Sequence, residues 1–280
     1  MDETLEIPGP SGRALRRALR AHWPEYLMEA ALLALLLLAL CVINAAVEYP
    51  ASPIRQALAD PALRRLVRGL AIGLVAIALV YSPWGQQSGA HLNPAITLTF
   101  FRLRKVWPWD ALCYILAQFL GAGAGALVAT LALRGALMGA PTSYAATAPG
   151  MSGPLVAFVA ECLIAFLSML VVLLVSNTRA LARSTGLFSG ALIATYILLE
   201  SPLSGASLNP ARSFAAALLA QLWPALWVYF LAPPLGMLSA AQVYLWIRGD
   251  QGVICAKLHH QNDKRCIFRC GYRARELASK

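Results

Sequence analysis

An eight-residue motif occurs twice in this chain and restricts the fold more than any other feature. Residues 88–95 read SGAHLNPA and residues 204–211 read SGASLNPA, so seven of eight positions agree at a spacing of 116 residues. A glutamate also stands early in the apolar stretch upstream of each copy, at Glu29 and at Glu161. The chain is therefore predicted to consist of two related halves.

The stretches around these motifs are apolar enough to predict a membrane protein. Hydrophobic residues make up 59% of the 280 residues and charged residues 13%, whereas a soluble domain carries about 25% charged residues. This composition also excludes disorder for the bulk of the chain. Six stretches approach the roughly 20 residues that cross a bilayer, at about 27–47, 67–82, 107–133, 154–176, 186–200 and 223–247.

Each motif begins a shorter apolar segment, near 93–103 and near 209–219. About 11 residues form roughly 16 Å of helix, which reaches half-way across a bilayer. Each half then has three full spans and one half-span, and an odd number of spans inverts the second half relative to the first. The predicted fold is an all-α membrane protein of six transmembrane helices plus two half-helices in an inverted repeat.

The three residues that end the repeated motif predict how each half-helix begins. Proline fits the first turn of a helix, and asparagine before it is a favoured N-cap. Two half-helices that meet N-terminus to N-terminus place their partial positive charges at the centre of the membrane. Such a site is predicted to pass water and to exclude protons and cations. Its residues are Asn93, Pro94, Ala95, Asn209, Pro210 and Ala211.

The distribution of basic residues predicts the orientation. With both termini in the cytoplasm, the inner segments carry 17 of the 23 Lys and Arg residues, as the positive-inside rule requires. The net charge of +10 lies mostly in clusters that flank the spans, which favours contact with lipid headgroups over nucleic acid. We expect a cytoplasmic N-terminus at 1–22, a channel domain at 23–247 in the plasma (cell inner) membrane, with halves at about 23–133 and 154–247, and a cytoplasmic basic tail at 248–280.

Residues 23–247 resemble the aquaporin, or major intrinsic protein, family. The resemblance is carried by both Asn-Pro-Ala boxes, by Ser88-Gly89-Ala90-His91 and by Arg212-Ser213. It implies a narrow pore in each subunit, assembly into a homotetramer, and passive transport of water and small uncharged solutes. It also implies that the chain is not an enzyme, and no nucleophile–base pair stands out in the sequence.

The resemblance assigns roles to several further residues. Glu29 and Glu161 match buried glutamates that accept hydrogen bonds from the loops, and Gln118 and Gly121 match the pattern of the third span. His91 matches a histidine that lines the pore and acts in gating in some members. We expect the two glutamates to serve folding rather than selectivity, because a buried carboxylate needs donors around it.

The selectivity filter is also implied by the resemblance. Arg212 lies three positions after Asn209, and Ala206 and Ile197 take two further filter positions. The filter position in the second span is either Ile72 or Gly73. The stretch between this span and the first motif is one residue longer than the resemblance leads us to expect, so the two residues are not distinguished. A pore that passes uncharged solutes and is lined by these residues is expected to need no cofactor.

The preferred solute is left between two alternatives. The filter lacks the phenylalanine and histidine of strict water channels, which makes it wider and more apolar, and the stretch 202–207 is similar to plant members that pass small neutral solutes. Ser213 instead follows the water-channel pattern. We therefore predict a water channel permissive to small neutral solutes, with a dedicated glycerol or small-solute facilitator as the alternative. An ion-coupled secondary transporter is the rival class.

The polar tail holds a group of zinc-ligand residue types. Thiolates and imidazoles are preferred zinc ligands, and four of them close a tetrahedral site. The sequence therefore raises the hypothesis of a zinc site in the tail. The alternatives are a basic strip that binds anionic lipid and a redox or interaction element. The candidate ligands are Cys255, His259, His260, Cys266 and Cys270.

Overall fold

The fold is a helical bundle without strands among the residues that the structure describes. A computed structural model describes residues 12–139, 141–223, 225–249 and 252–272. The helices are α1 (Gly12–Glu48), α2 (Pro53–Ala57), α3 (Pro61–Tyr81), α4 (Pro83–Ser88), α5 (Pro94–Arg102), α6 (Pro108–Leu133), α7 (Gly153–Ser176), α8 (Thr185–Leu199), α9 (Ser201–Ser204), α10 (Pro210–Ala220) and α11 (Leu226–Arg248).

Six long helices and two half-helices are present, as predicted. Within the described ranges, five helical segments are long and apolar enough to cross a membrane, and they contain α1, α6, α7, α8 and α11. The sixth long helix, α3, has 21 residues and carries basic residues in its first turns. The half-helices α5 and α10 have 9 and 11 residues, about 14 and 16 Å of helix.

The packing of the helices follows the two-fold pattern of the sequence. In the first half α1 packs along α6, and in the second half α7 packs along α11. The two halves meet where α3 packs against α8. Each half-helix packs on the last long helix of the other half, α5 on α11 and α10 on α6. Each half-helix also packs on the last long helix of its own half, α5 on α6 and α10 on α11, so both are held between the two halves.

The described helices extend beyond two of the predicted boundaries. Helix α1 begins at Gly12, inside the segment expected to precede the channel domain, and α3 begins at Pro61 rather than near residue 67. Asp60 caps α3 by accepting hydrogen bonds from the backbone N–H groups of Ala62 and Leu63, and this cap explains the earlier start.

Two arginines in the first turns of α3, Arg64 and Arg68, are bound by protein groups. Arg64 is buried; its Nε lies 3.2 Å from Glu48 Oε2, and its Nη1 donates to the carbonyls of Leu58 and Ala59. Arg68 Nη1 donates to Asn44 Oδ1 at 3.2 Å. These guanidinium groups therefore tie the ends of α1 and α3 together and are not free charges on the surface.

The two ends of the bundle differ in what covers them. We call one the tail end, because residues 252–272 pack there against α1, the last turn of α3 and the last turn of α7. We call the other the loop end, where α1 finishes at Glu48 and α3 begins at Pro61.

Glycines allow the closest helix contacts in both halves. A Cβ built at Gly121 in α6 would lie 2.1 Å from the carbonyl oxygen of Ala30 in α1. The equivalent contact in the second half is Gly236 in α11, where a Cβ would lie 2.3 Å from the carbonyl oxygen of Cys162. Small residues let helix backbones approach each other in membranes, so these positions set the spacing of each helix pair.

We expect Gly121→Ala to destabilise the protein and Gly123→Ala to leave it unchanged or stabilised. Overpacking against backbone typically costs about 1–3 kcal/mol, while a Cβ at Gly123 meets nothing within 4 Å. Alanine in an open helical position is favoured over glycine by about 1 kcal/mol. Thermal unfolding of the two detergent-purified variants measures the difference. Equal midpoints would contradict the role given to this contact.

Candidate functional site

Both half-helices begin at an asparagine cap, as the Asn-Pro dipeptides predict. Asn93 is extended, with φ −157° and ψ 122°, and its Oδ1 accepts from the backbone N–H of Ala95 at 2.9 Å. Asn209 caps α10 in the same way, accepting from Ala211 N at 3.1 Å and from Arg212 N at 3.3 Å. The caps orient both asparagine amides past the ends of their helices.

The amides of the two asparagines also join the halves across the centre of the bundle. Asn93 Nδ2 donates to the carbonyl of Leu208 at 2.8 Å, and Asn209 Nδ2 donates to the carbonyl of Leu92 at 2.7 Å. Each half-helix start is thereby bound to the loop that leads into the other half-helix. Since an amide NH₂ has two protons, each asparagine keeps a second N–H for a ligand.

The loops before the half-helices hold strained backbone at equivalent positions. Ala90 and Leu92 have φ of 54° in the first loop, and Ala206 and Leu208 have φ of 52° and 59° in the second. Residues with a Cβ rarely adopt this left-handed region, which costs of order 1–3 kcal/mol each. The surrounding structure must therefore hold both loops in place.

Glu29 holds the first loop with both carboxylate oxygens. Its Oε1 accepts from Ser88 Oγ at 2.8 Å and from His91 N at 3.1 Å, while its Oε2 accepts from Leu92 N at 2.8 Å. Gln118 Nε2 donates to the same Oε2 at 2.9 Å. The fully buried carboxylate thus binds the loop to α1 and α6.

Glu161 holds the second loop in the equivalent way. Its Oε1 accepts from Ser204 Oγ at 2.8 Å and from Ser207 N at 2.6 Å, and its Oε2 accepts from Leu208 N at 2.8 Å. Sequence reasoning missed a further support: Tyr114 and Tyr229 donate their hydroxyls to the carbonyls of Ser88 and Ser204 at 2.7 and 2.5 Å. The sequence signal for this support is a tyrosine in the last long helix of each half, α6 and α11.

A continuous cavity of about 370 Å³ runs between the halves and past both half-helix starts. Most of its wall is apolar, and its polar side chains include groups at the half-helix starts, groups toward the loop end, and His91 on the side of the C-terminal segment. The lining includes Asn44, Arg68, Ile72, His91, Asn93, Ile197, Ala206, Asn209 and Arg212.

The structure separates the two candidates for the filter position in α3. Ile72 lines the cavity together with Ile197, Ala206 and Arg212. Gly73 does not, because it faces α8, where a Cβ would lie 2.6 Å from the carbonyl oxygen of Gly190. Arg212 Nη1 is buried and has no hydrogen-bond partner within the described part of the chain.

Arg68 is a second arginine in the cavity wall that sequence reasoning missed. Its guanidinium bridges the halves, donating to Asn44 Oδ1 in α1 and to Ser201 Oγ in α9 at 3.2 and 3.3 Å. The sequence placed Arg68 at the very start of the second span, predicted near residue 67, and no local pattern indicated that its side chain reaches the cavity. The cavity therefore has two cationic groups toward its loop end.

His91 lines the cavity on the side of the two asparagines that faces the tail end, and it is almost fully buried. Its Nδ1 lies 3.0 Å from Thr97 Oγ1, and its Nε2 lies 2.9 Å from the carbonyl oxygen of Ala256. Its ring stacks on Phe268 with ring centroids 5.2 Å apart. The proposed gating residue is thus in direct contact with the C-terminal segment.

Four of the five candidate metal ligands converge in that segment. The ligand atoms of Cys255, His260, Cys266 and Cys270 all lie within 4.8 Å of one another. His259 lies apart from them, with its ring edge-on to Tyr81 at a centroid distance of 5.0 Å.

Neighbouring groups shift the pKa of His260, of Cys270 and of Lys257 beside them. Burial lowers the pKa of His260, but hydrogen bonds to Cys266 and Cys270 outweigh this and raise the pKa to about 9. Hydrogen bonds from Cys255 and Cys266 lower the pKa of the Cys270 thiol. Burial lowers the pKa of Lys257, although the neighbouring thiols act in the opposite direction.

Most basic side chains of the described tail are engaged with protein groups. Lys257 is buried and donates to the carbonyl of Lys264 at 3.1 Å. Arg265 Nε donates to Glu25 Oε1 at 2.6 Å, and the Arg269 guanidinium lies 3.7 Å from the centre of the Trp107 ring. Such contacts disfavour a free basic strip; Arg273 and Arg275 lie outside the described residues.

The comparisons with known sequences agree on one protein family. Residues 20–244 match the family model of the major intrinsic proteins. The chain is similar to aquaporin NIP2-3 of Zea mays, with 36% identity over 199 residues, 70% of this chain and 63% of that protein. It is also similar to aquaporin NIP1-3 of Oryza sativa subsp. japonica, with 38% identity over 178 residues, 63% of this chain and 60% of that protein. The chain thus spans about three fifths of the length of these relatives.

The fold is similar to a solved structure. The aquaglyceroporin from Plasmodium falciparum superposes with a TM-score of 0.65 at 22% sequence identity, covering 82% of this chain and 96% of that one. At this identity the likeness is one of fold.

Proposed function

This chain belongs to the major intrinsic protein family, and we propose that it is a passive membrane channel for water and small uncharged solutes. The observation that carries the proposal is the pair of facing half-helix starts in the cavity wall. Asn93 and Asn209 cap these starts and keep one amide N–H each for a solute oxygen. A water that accepts hydrogen bonds from both amides points its two hydrogens outward and cannot accept from a neighbouring water, so the chain of waters cannot relay a proton through this point.

Exclusion of ions is proposed to come from charges that face the cavity. Each half-helix start contributes about half a positive charge, and Arg212 adds a full charge in a wall otherwise lined by Ile72, Ile197 and Ala206. A cation that enters this region loses water and gains no anionic partner there, so its passage is unfavourable. An uncharged solute meets no such barrier.

A dedicated small-solute facilitator is the second candidate, and the apolar filter favours it. Ile72, Ile197 and Ala206 offer no hydrogen-bonding side chain opposite Arg212, which suits the carbon backbone of a polyol. Stopped-flow light scattering of reconstituted vesicles with water, glycerol and urea distinguishes the two candidates.

An ion-coupled transporter receives less support. Coupling needs intramembrane ionisable groups that are free to change partners. The oxygens of Glu29 and Glu161 are instead occupied by loop donors. Solute flux that required an ion gradient would favour the transporter.

We propose that the protein lies in the plasma membrane with its tail end facing the cytoplasm. We also propose that four subunits assemble into a tetramer. The positive-inside distribution of Lys and Arg supports the orientation, and the family resemblance supports the tetramer. Native mass spectrometry of detergent-purified protein measures the subunit number.

Filling the cavity is expected to lower water permeability by about tenfold or more, because a single-file pore fails when its narrowest part closes. Ile197→Trp places an indole in the cavity wall beside Arg212, since Ile197 is buried and lines the cavity. Stopped-flow scattering of proteoliposomes with equal protein content measures the change.

Leu199→Trp is the matched control for this variant. Leu199 lies two residues further along the same helix, is 69% exposed and does not line the cavity. We expect it to keep the permeability of the unmodified channel. A similar fall in both variants, or in neither, would refute the assignment of this cavity as the pore.

A further inference from the structure

The C-terminal segment, residues 252–272, is irregular in backbone and yet well buried. It contains no long helix and no strand in its described residues, but Cys255, Ala256, Lys257 and Phe268 are at most 6% exposed. A segment of this size without regular structure rarely holds one conformation by packing alone. A cross-link within the segment would explain its order.

The geometry of the cysteine and histidine cluster fits a metal ion as that cross-link. Cys255 Sγ lies 3.5 Å from Cys266 Sγ, and Cys270 Sγ lies 3.0 Å from His260 Nε2. Tetrahedral bonds of about 2.3 Å to sulfur and about 2.0 Å to nitrogen place two thiolates about 3.8 Å apart and a thiolate about 3.5 Å from an imidazole nitrogen. The two pairs thus differ from this spacing by about 0.3 and 0.5 Å, and all ligand atoms lie within 4.8 Å of one another, so shifts of at most about 1 Å would seat the ion. The cysteines are free thiols.

The surroundings of the cluster also suit a zinc ion. Three thiolates and a neutral imidazole around Zn²⁺ carry a net charge of −1, and the protons that the four ligand groups held are released to solvent. Lys257 is buried and follows Cys255 by two residues in the chain, so its ammonium would offset this charge. The His260 ring stacks on Tyr272 with centroids 4.1 Å apart, which fixes its orientation.

We propose that Cys255, His260, Cys266 and Cys270 form a structural zinc site, and that the metal fixes the C-terminal segment as a cap on the tail end of the pore. Backbone hydrogen bonds run from the segment to residues around that end. Leu258 N donates to the carbonyl of Gly89 and Arg269 N donates to the carbonyl of Lys105. Since His91 bonds to Ala256 and stacks on Phe268, the ordered cap determines the environment of a pore-lining histidine.

The first test is metal content. The full chain, purified in detergent under reducing conditions, is loaded with Zn²⁺, washed with a chelator and analysed for metal. We expect about one zinc per chain, a loss of about tenfold or more in Cys266→Ser/Cys270→Ser, and no loss in Cys113→Ser/Cys162→Ser, whose thiols lie outside the cluster. Zinc-free wild type, equal zinc in both double variants, or a Cys255–Cys266 disulfide in the purified chain would overturn the proposal.

A second test needs no variant and so does not depend on the folding of one. Co²⁺ bound by three thiolates in a tetrahedral site gives intense visible absorption, and Zn²⁺ added afterwards should abolish it. Absence of these bands in the Co²⁺-loaded wild type would contradict the ligand set. Both readouts are independent of transport, so they separate failure of this site from failure of the proposed channel.

Hydrogen exchange tests the structural role of the metal. The backbone N–H groups of Ile254, Leu258, Arg269 and Gly271 are hydrogen-bonded in the folded segment. We expect removal of zinc to raise their exchange by about tenfold or more while the centre of α6 is unchanged. Equal exchange with and without zinc would show that the metal does not hold the cap.

Discussion

Glutamine in place of Glu29 or Glu161 is expected to abolish most of the folded protein rather than to change its selectivity. Each carboxylate accepts at least three hydrogen bonds from donors in its loop. In glutamine one oxygen becomes an NH₂ group, which faces donors and accepts from none of them. Hydrogen bonds to a buried charged group contribute about 1.5–3 kcal/mol each.

The hydrogen bonds that would be lost belong to loops whose backbone is already strained. Ala90, Leu92, Ala206 and Leu208 all adopt left-handed backbone, and the carboxylates are the groups that hold these residues in place. We expect a destabilisation of about 3–5 kcal/mol, comparable with the ~5–15 kcal/mol of a typical domain. Yield of monodisperse protein and its thermal midpoint measure the effect.

Asp263→Asn is the control for the same chemical change. The side chain of Asp263 is 89% exposed, so removal of its charge should leave yield and midpoint unchanged. A stable Glu29→Gln or Glu161→Gln protein with altered solute selectivity would contradict the structural role of the glutamates.

Arg212→Val is expected to leave water permeability intact or raised and to admit protons or cations. The guanidinium lies in the cavity wall, is 9% exposed and has an Nη1 without a hydrogen-bond partner among the described residues. At an effective dielectric constant of about 20, a unit charge 4 Å away contributes about 4 kcal/mol to the barrier. Loss of that charge corresponds to an increase of about a thousandfold in the rate of ion passage. The half-helix dipoles and Arg68 still oppose cations, so the increase is expected to be smaller than this.

Proton flux into vesicles that contain a pH-sensitive dye measures this change. Arg179→Val is the control, because Arg179 is exposed and does not line the cavity. Arg68→Leu, tested in parallel, reports the share of the second cavity arginine. If proton exclusion is unchanged in Arg212→Val, the facing half-helix starts suffice for it.

Features that depend on neighbouring residues were predictable from the sequence. The Asn-Pro pairs restrict the backbone of their own helix start, so the beginnings of α5 and α10 were predicted to within a residue. The repeated octamer predicted two halves because duplicated sequence folds into duplicated structure. The long apolar helices followed from hydropathy, and the donors around Glu29 and Glu161 were expected because a buried carboxylate requires them.

Other features depend on how distant segments meet, and only the tertiary structure decided them. The rotation of α3 about its axis exposes Ile72 to the cavity and turns Gly73 toward α8, and no local pattern distinguishes such neighbours. Arg68 reaches the cavity because its partners come from α1 and α9. His260 joins the three cysteines whereas its neighbour His259 contacts Tyr81. In each case the deciding contacts join residues far apart in the chain, and their free energy arises only when the helices pack.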